Sequence, residues 1–154
     1  METTQAPAPT ITRAGTTPAT RHKLFLNLPV ADLQRSISFF EALGFAFNPA
    51  FTDATATCML IGEDAYAMLL SHERFAGYSD GPLADPRAAA TGAHYALTVD
   101  SREDVDAMVE RALASGGSAA GEPEDHGFMY SASFHDPDGH RWDVFWMDPA
   151  AIPG

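Results

Sequence analysis

The chain has 154 residues, enough for one domain with its own core, and 45 % of them are hydrophobic, which excludes a wholly disordered polypeptide. A formal net charge of −12 argues against binding along a nucleic acid backbone or on an anionic membrane surface, and no apolar run is long enough to span a bilayer. The single cysteine, Cys58, excludes an intrachain disulfide or a multi-cysteine metal site and fits a reducing, cytoplasmic compartment.

Residues 1–20 are rich in Thr, Ala and Pro and read as a disordered tail, and residues 150–154 as a second, shorter one. The segment Lys23 to Val30 is apolar enough for a strand, with Phe25 and Asn27 on one face and Leu24, Leu26 and Leu28 on the other. Asp32 is a suitable N-cap for a helix that carries Leu33, Ile37, Phe40 and Leu43 at helical spacing and stops at Gly44. Three strands follow, near 45–51, 56–61 and 65–70, with Gly62-Glu63-Asp64 as a turn. Residues 72–91 are polar and carry Gly81-Pro82 and Asp85-Pro86, so they read as a connection in which Phe75, Tyr78 and Leu83 pack locally, the alternative being that they fold over a cavity mouth.

The pattern then repeats. Residues 93–99 form a strand, Ser101 caps a helix with Val105, Met108, Val109, Ala112 and Leu113 on its apolar stripe, and Ser115-Gly116-Gly117 stops it. A short strand near 118–120 and two clear ones over 130–134 and 140–146 complete the second copy. Leu28-Pro29-Val30-Ala31-Asp32-Leu33 lines up with Leu97-Thr98-Val99-Asp100-Ser101-Arg102. The expected organisation is therefore α+β: one domain over 21–149 made of two βαβββ units, about 21–71 and 92–148.

The last hairpin is the most specific stretch. Asp136-Pro137-Asp138-Gly139 is a tight turn, with Pro137 presetting one backbone angle and Gly139 accepting a positive φ. In the strand beyond it, Arg141, Asp143 and Phe145 share one face, and Trp142, Val144 and Trp146 share the other. An acid in mid-strand between bulky apolar neighbours either lines a polar cavity or has a partner. The tryptophans are expected under the helices or at a subunit contact.

These two units, the Val30-x-Asp32-Leu33-x-x-Ser36 lead into the first helix, His94, and the Asp136-Pro137-Asp138-Gly139 hairpin resemble the vicinal oxygen chelate superfamily of glyoxalases, extradiol dioxygenases and antibiotic resistance proteins. The resemblance covers about residues 23–148 and implies sheets curled into a cup with helices outside, a small-molecule ligand, and a homodimer with cups built across the subunit boundary. Metal-dependent members hold a divalent ion in the cup with His or Gln, Glu, His and Glu. Carried over, these positions fall on Phe25, Leu69, His94 and Asp143, so half of the ligand set is present.

Three readings of His94 and Asp143 follow: a hydrogen-bonded pair in a binding cup; ligands of a divalent ion (Fe, Mn, Ni, Co or Zn) in a glyoxalase- or dioxygenase-like enzyme; or a metal-free lyase or isomerase with His94 as proton shuttle and Asp143 orienting it. Phe25, Asn27, Leu69, Tyr130 and Phe145 are expected to line the cup around them. Of possible substitute ligands, Asn27 shares Phe25's face, whereas His22, His72, His126, His135 and His140 lack the expected register. Glu122, Glu124, Asp125 and His126 read as a solvated acidic loop.

Overall fold

A computed structural model describes residues 22–88 and 92–151. The expected tail over 1–20 lies outside the described residues. The chain order is β1 (Leu24–Val30), α1 (Leu33–Ala42), β2 (Ala46–Asn48), β3 (Ala56–Gly62), β4 (Ala65–Ser71), α2 (His72–Gly77), β5 (His94–Thr98), α3 (Arg102–Ala114), β6 (Ser118–Ala119), β7 (Glu124–Asp125), β8 (Met129–His135) and β9 (Arg141–Met147). The fold is α+β, as the repeat predicts. Each unit forms its own sheet, ordered β1-β4-β3-β2 in the first and β5-β9-β8-β6 in the second, with β7 beside β8. In both sheets the first strand runs parallel to the last and the others are antiparallel.

Two local differences from the sequence reading have clear causes. The strand expected over 45–51 ends at Asn48, whose side chain accepts from the Ala50 N–H and starts a short 3-10 turn at Pro49. Helix α2 lies in the segment expected to be a plain connection: the Ser71 hydroxyl accepts from the Arg74 N–H and nucleates it. Both main helices begin at the expected caps, Asp32 accepting from Arg35 and Ser101 from Asp104.

Strand alternation sorts the side chains. Leu28 and Val30 of β1, Ala67 and Leu69 of β4, Ala132 and Phe134 of β8, and Trp142 and Val144 of β9 enter one continuous core with α1 and α3. The core joins the two units. Phe40 of α1 meets Trp142 edge-on at 5.3 Å between ring centroids, and Phe39 meets Phe134 at 6.0 Å. Trp142 is therefore under a helix, as expected, and it is fully buried. Trp146 is partly buried against the same core with the Arg102 guanidinium over its ring.

The Asp136–Gly139 turn closes the contact between units. Gly139 adopts φ +97°, and a Cβ there would lie 2.7 Å from the Arg87 Cγ. Asp138, 4 % exposed, reaches the start of α1, more than a hundred residues away in the chain. Its Oδ1 accepts from the Ala31 N–H at 2.8 Å and from Arg35 Nη2 at 3.4 Å, and its Oδ2 accepts from the Ser36 hydroxyl at 3.2 Å. His140 Nε2 donates to the Pro29 carbonyl at 2.8 Å. Asp136 stiffens the turn from within, accepting from the Asp138 and His140 N–H groups and from the Trp142 indole. Burial pushes the Asp136 carboxyl above the usual carboxylate range, against the pull of His140 and the indole.

Removing the Asp138 carboxylate leaves buried donors unpaired. Asp138→Ala is expected to lower the unfolding free energy by about 2–4 kcal/mol, Ser36→Ala by about 1 kcal/mol, and exposed Asp80→Ala by less than about 0.5 kcal/mol. Equilibrium urea denaturation checks the order; equal values for Asp138→Ala and Asp80→Ala would contradict a pin between the units.

Candidate functional site

The site is built by the register of the second sheet. Asp143 of β9 stands opposite Ser133 of β8 and beside Ala96 of β5, and His94 stands beside Arg141. Ala96 is small, so it leaves the space above Asp143 open to the diagonal reach of His94. Arg141 lies two residues before Asp143 on the same face. The four polar groups converge. Ser133 Oγ donates to Asp143 Oδ1 at 2.5 Å, Arg141 Nε donates to the same oxygen at 3.0 Å, and His94 Nδ1 lies 3.2 Å from Oδ2. Arg141 Nη2 also reaches Ser133 Oγ at 3.4 Å.

Partial burial raises the cost of ionising Asp143, but the hydrogen bonds from Ser133 and Arg141, with the Arg141 and His94 charges, outweigh it and hold the carboxyl below the usual range. A cavity of about 350 Å³ opens over Ser133, Arg141 and Asp143 of this cluster, with Ser131, Phe145, Glu122 and Glu124 also in its lining and His94 outside it. That volume suits a small organic molecule.

Of the residues singled out from the sequence, His94, Asp143 and Phe145 come together on this face. Phe25 and Asn27 share the equivalent face of the first sheet, where Phe25 is 48 % exposed and stacks on Tyr66 at 4.7 Å. Two expected lining residues lie elsewhere. Leu69 is fully buried in the core on the helix side, because it shares the alternation of Ala67 and pairs with Leu28. Tyr130 shares the face of Ala132 and Phe134 and points to α3, where its hydroxyl donates to Asp106 Oδ1 at 2.6 Å.

Ser133 and Arg141 complete the cluster without being among the site residues expected from the sequence. Arg141 was legible from strand alternation with Asp143. Ser133 was legible only by counting across the turn, since the pairing of His135 with Arg141 brings Ser133 opposite Asp143.

The register also relocates the fourth expected metal position. Phe25 pairs with Tyr66 as His94 pairs with Arg141, so the counterpart of Asp143 in the first unit is Met68, one residue from the Leu69 expected from sequence. The four positions then hold a phenyl ring, a thioether, an imidazole and a carboxylate. This set is a poor match for a divalent oxygen-chelating ion: the two first-unit positions carry neither an imidazole nor a carboxylate, and a guanidinium already bonds to the carboxylate of the second unit. Among the described residues no group of three or more His, Cys, Asp and Glu side chains is placed to hold a metal. The acidic loop is tied down instead, with Arg102 forked onto Asp125 at 2.8 and 3.1 Å and Glu124 3.4 Å from His126.

The sequence model of the Glyoxalase/Bleomycin resistance protein/Dioxygenase superfamily matches residues 22–144. The chain belongs to this superfamily. Among solved structures it is similar to a hypothetical protein from S. aureus (27 % identity, 83 % of this chain and 95 % of that one, TM-score 0.69). It is also similar to a protein from Agrobacterium tumefaciens (25 %, 83 % and 98 %, TM-score 0.60). A fosfomycin resistance protein from Mesorhizobium loti shares the fold at 18 % identity, with 88 % and 97 % covered and a TM-score of 0.59. No curated protein matches the chain. Among the described residues no helix is long and apolar enough to cross a membrane.

The lowered Asp143 pKa has a direction in pH. A carboxyl whose folded pKa lies below its unfolded value adds stability that is fully present above the unfolded value, near pH 4, and is lost as pH falls through the folded one. The stability difference between the wild-type protein and Asp143→Asn is therefore expected to be constant above about pH 5 and to shrink below about pH 4. Urea denaturation at several pH values measures it; a difference independent of pH down to about 3 would contradict the assignment.

Proposed function

We propose that this protein binds a small organic molecule over the His94–Ser133–Arg141–Asp143 cluster without a metal ion. One observation carries the reading: both oxygens of Asp143 are committed to protein groups, Oδ1 to Ser133 and Arg141 and Oδ2 to His94. The guanidinium supplies fixed positive charge where relatives of the metal-dependent type would use an ion. Phe145 provides an apolar floor, and Ser131 and Ser133 provide hydroxyls to orient a bound molecule.

A homodimer belongs to the same proposal. The outward face of the first sheet carries the half-exposed Phe25 with its stacked Tyr66, and Leu60 at 38 % exposure. A second copy laid on this face would shelter it and close a cup. A cytoplasmic setting agrees with the single buried cysteine.

A second reading is a metal-free lyase or isomerase. It is favoured by Asp143, which holds His94 through Nδ1 while the imidazole stays half exposed, an arrangement suited to moving a proton at Nε2.

Protein purified without added metal is expected to carry less than about a tenth of an equivalent of Fe, Mn, Ni, Co or Zn by elemental analysis, and supplementation is expected to leave its melting temperature unchanged. Stoichiometric metal, or a metal-dependent rise in melting temperature that Asp143→Asn abolishes, would overturn the metal-free reading. If the second reading holds, His94→Ala abolishes turnover while ligand binding survives. Sedimentation at about 100 μM is expected to show a dimer that Phe25→Glu weakens by at least about tenfold; a wild-type monomer would remove the dimer.

A further inference from the structure

A second cavity, about 670 Å³, shares only Arg141 with the one over Asp143. It runs between the β8–β9 hairpin and the segment that follows β4. Phe75 of α2, Leu83 and Pro86 form an apolar wall on one side, and Pro29 and Asn27 of β1 stand on another. Phe75 and Leu83, expected to pack locally in a connection, thus line a cleft, whereas Tyr78 stays 71 % exposed.

The polar lining has a definite sign. Arg87 and Arg141 both face the cleft, two of the nine Lys and Arg residues in a chain of net charge −12, and His135 lies beside them. Arg87 spends Nη2 on the Pro137 carbonyl, and Arg141 spends Nε and Nη2 on Asp143 and Ser133, which leaves N–H donors on each guanidinium. The two carboxylates in the lining are engaged. Asp136 is 4 % exposed with both oxygens hydrogen-bonded, and Asp85 Oδ1 accepts from the Arg87 N–H. His140 directs Nε2 to the Pro29 carbonyl. The lining thus offers a ligand the spare N–H donors of two guanidinium groups and apolar carbons, with the Asn27 amide, the Tyr95 and Ser118 hydroxyls and the second Asp85 oxygen among its other polar groups.

We propose that this cleft is a second ligand site, for an apolar small molecule bearing one anionic group such as a carboxylate or sulfonate, with the anion held between Arg87 and Arg141. The volume lies in the range of small-molecule sites, and guanidinium groups pair with planar anions through parallel hydrogen bonds. Arg141 would sense both cavities, since its Nε is fixed to Asp143 while its outer nitrogens border the cleft.

The probes are 8-anilinonaphthalene-1-sulfonate and its uncharged counterpart N-phenyl-1-naphthylamine, titrated by fluorescence and calorimetry against the full chain. The sulfonate is expected to saturate at one per chain. Arg87→Gln should weaken it at least about fivefold without weakening the neutral probe, and Leu83→Asp should weaken both probes. Phe145→Ala, at a residue that lines only the cavity over Asp143, should not weaken the sulfonate, which separates the two sites. Near-ultraviolet circular dichroism of the Trp142 environment establishes that each variant is folded. Absence of saturable sulfonate binding, Arg87→Gln within about twofold of wild type, or equal loss of both probes in that variant would overturn the proposal.

Discussion

The carboxylate of Asp138 is the constraint on which the two units depend. A buried acid is costly unless its oxygens find donors, and here the donors come from the other half of the chain: the Ala31 N–H, the Ser36 hydroxyl and Arg35. The burial of this carboxylate is therefore compensated only when the first unit is folded and docked. Once it is, the His140–Pro29 bond and the Phe40–Trp142 contact fall into place, and the second sheet is fixed relative to α1. Of the residues that made the sequence resemble a superfamily, Ser36 and Asp138 thus hold the architecture together, whereas His94 belongs to the site.

The duplication explains why the site is one-sided. Both units pair their first strand with their last in the same register, so the same backbone positions face outward in each. In the second unit those positions carry His94, Arg141 and Asp143, which satisfy one another with the help of Ser133. In the first they carry Phe25, Tyr66 and Met68, a largely aromatic and thioether surface with no imidazole or carboxylate. One scaffold has produced a polar face and an apolar face.

Charge placement follows the same economy. The chain is strongly acidic, yet several arginines sit where a carboxylate must be controlled: Arg35 at Asp138, Arg102 at Asp125, Arg141 at Asp143. Exposed pairs of this kind add little to stability, so the partly buried Arg141–Asp143 contact matters more for the shape of the local field than for the folding free energy. It holds Asp143 ionised and places a guanidinium on the wall between two cavities.

The sequence by itself determined the two βαβββ units, the caps at Asp32 and Ser101 and the tight turn at Asp136–Gly139, because these rest on local periodicity, capping chemistry and internal repetition, while the family resemblance offered the pairing of His94 with Asp143 as one of three readings. Strand alternation also announced that Arg141 and Phe145 accompany Asp143. Only the tertiary structure decided that Leu69 enters the core and Tyr130 turns toward α3, since a slip of one residue in register exchanges the two faces of a strand. It alone brought Asp138 onto Ser36, and Phe75 and Leu83 onto the cleft beside Arg87. Those contacts join residues that no local pattern links, and they are set by how two sheets, three helices and one buried turn pack together.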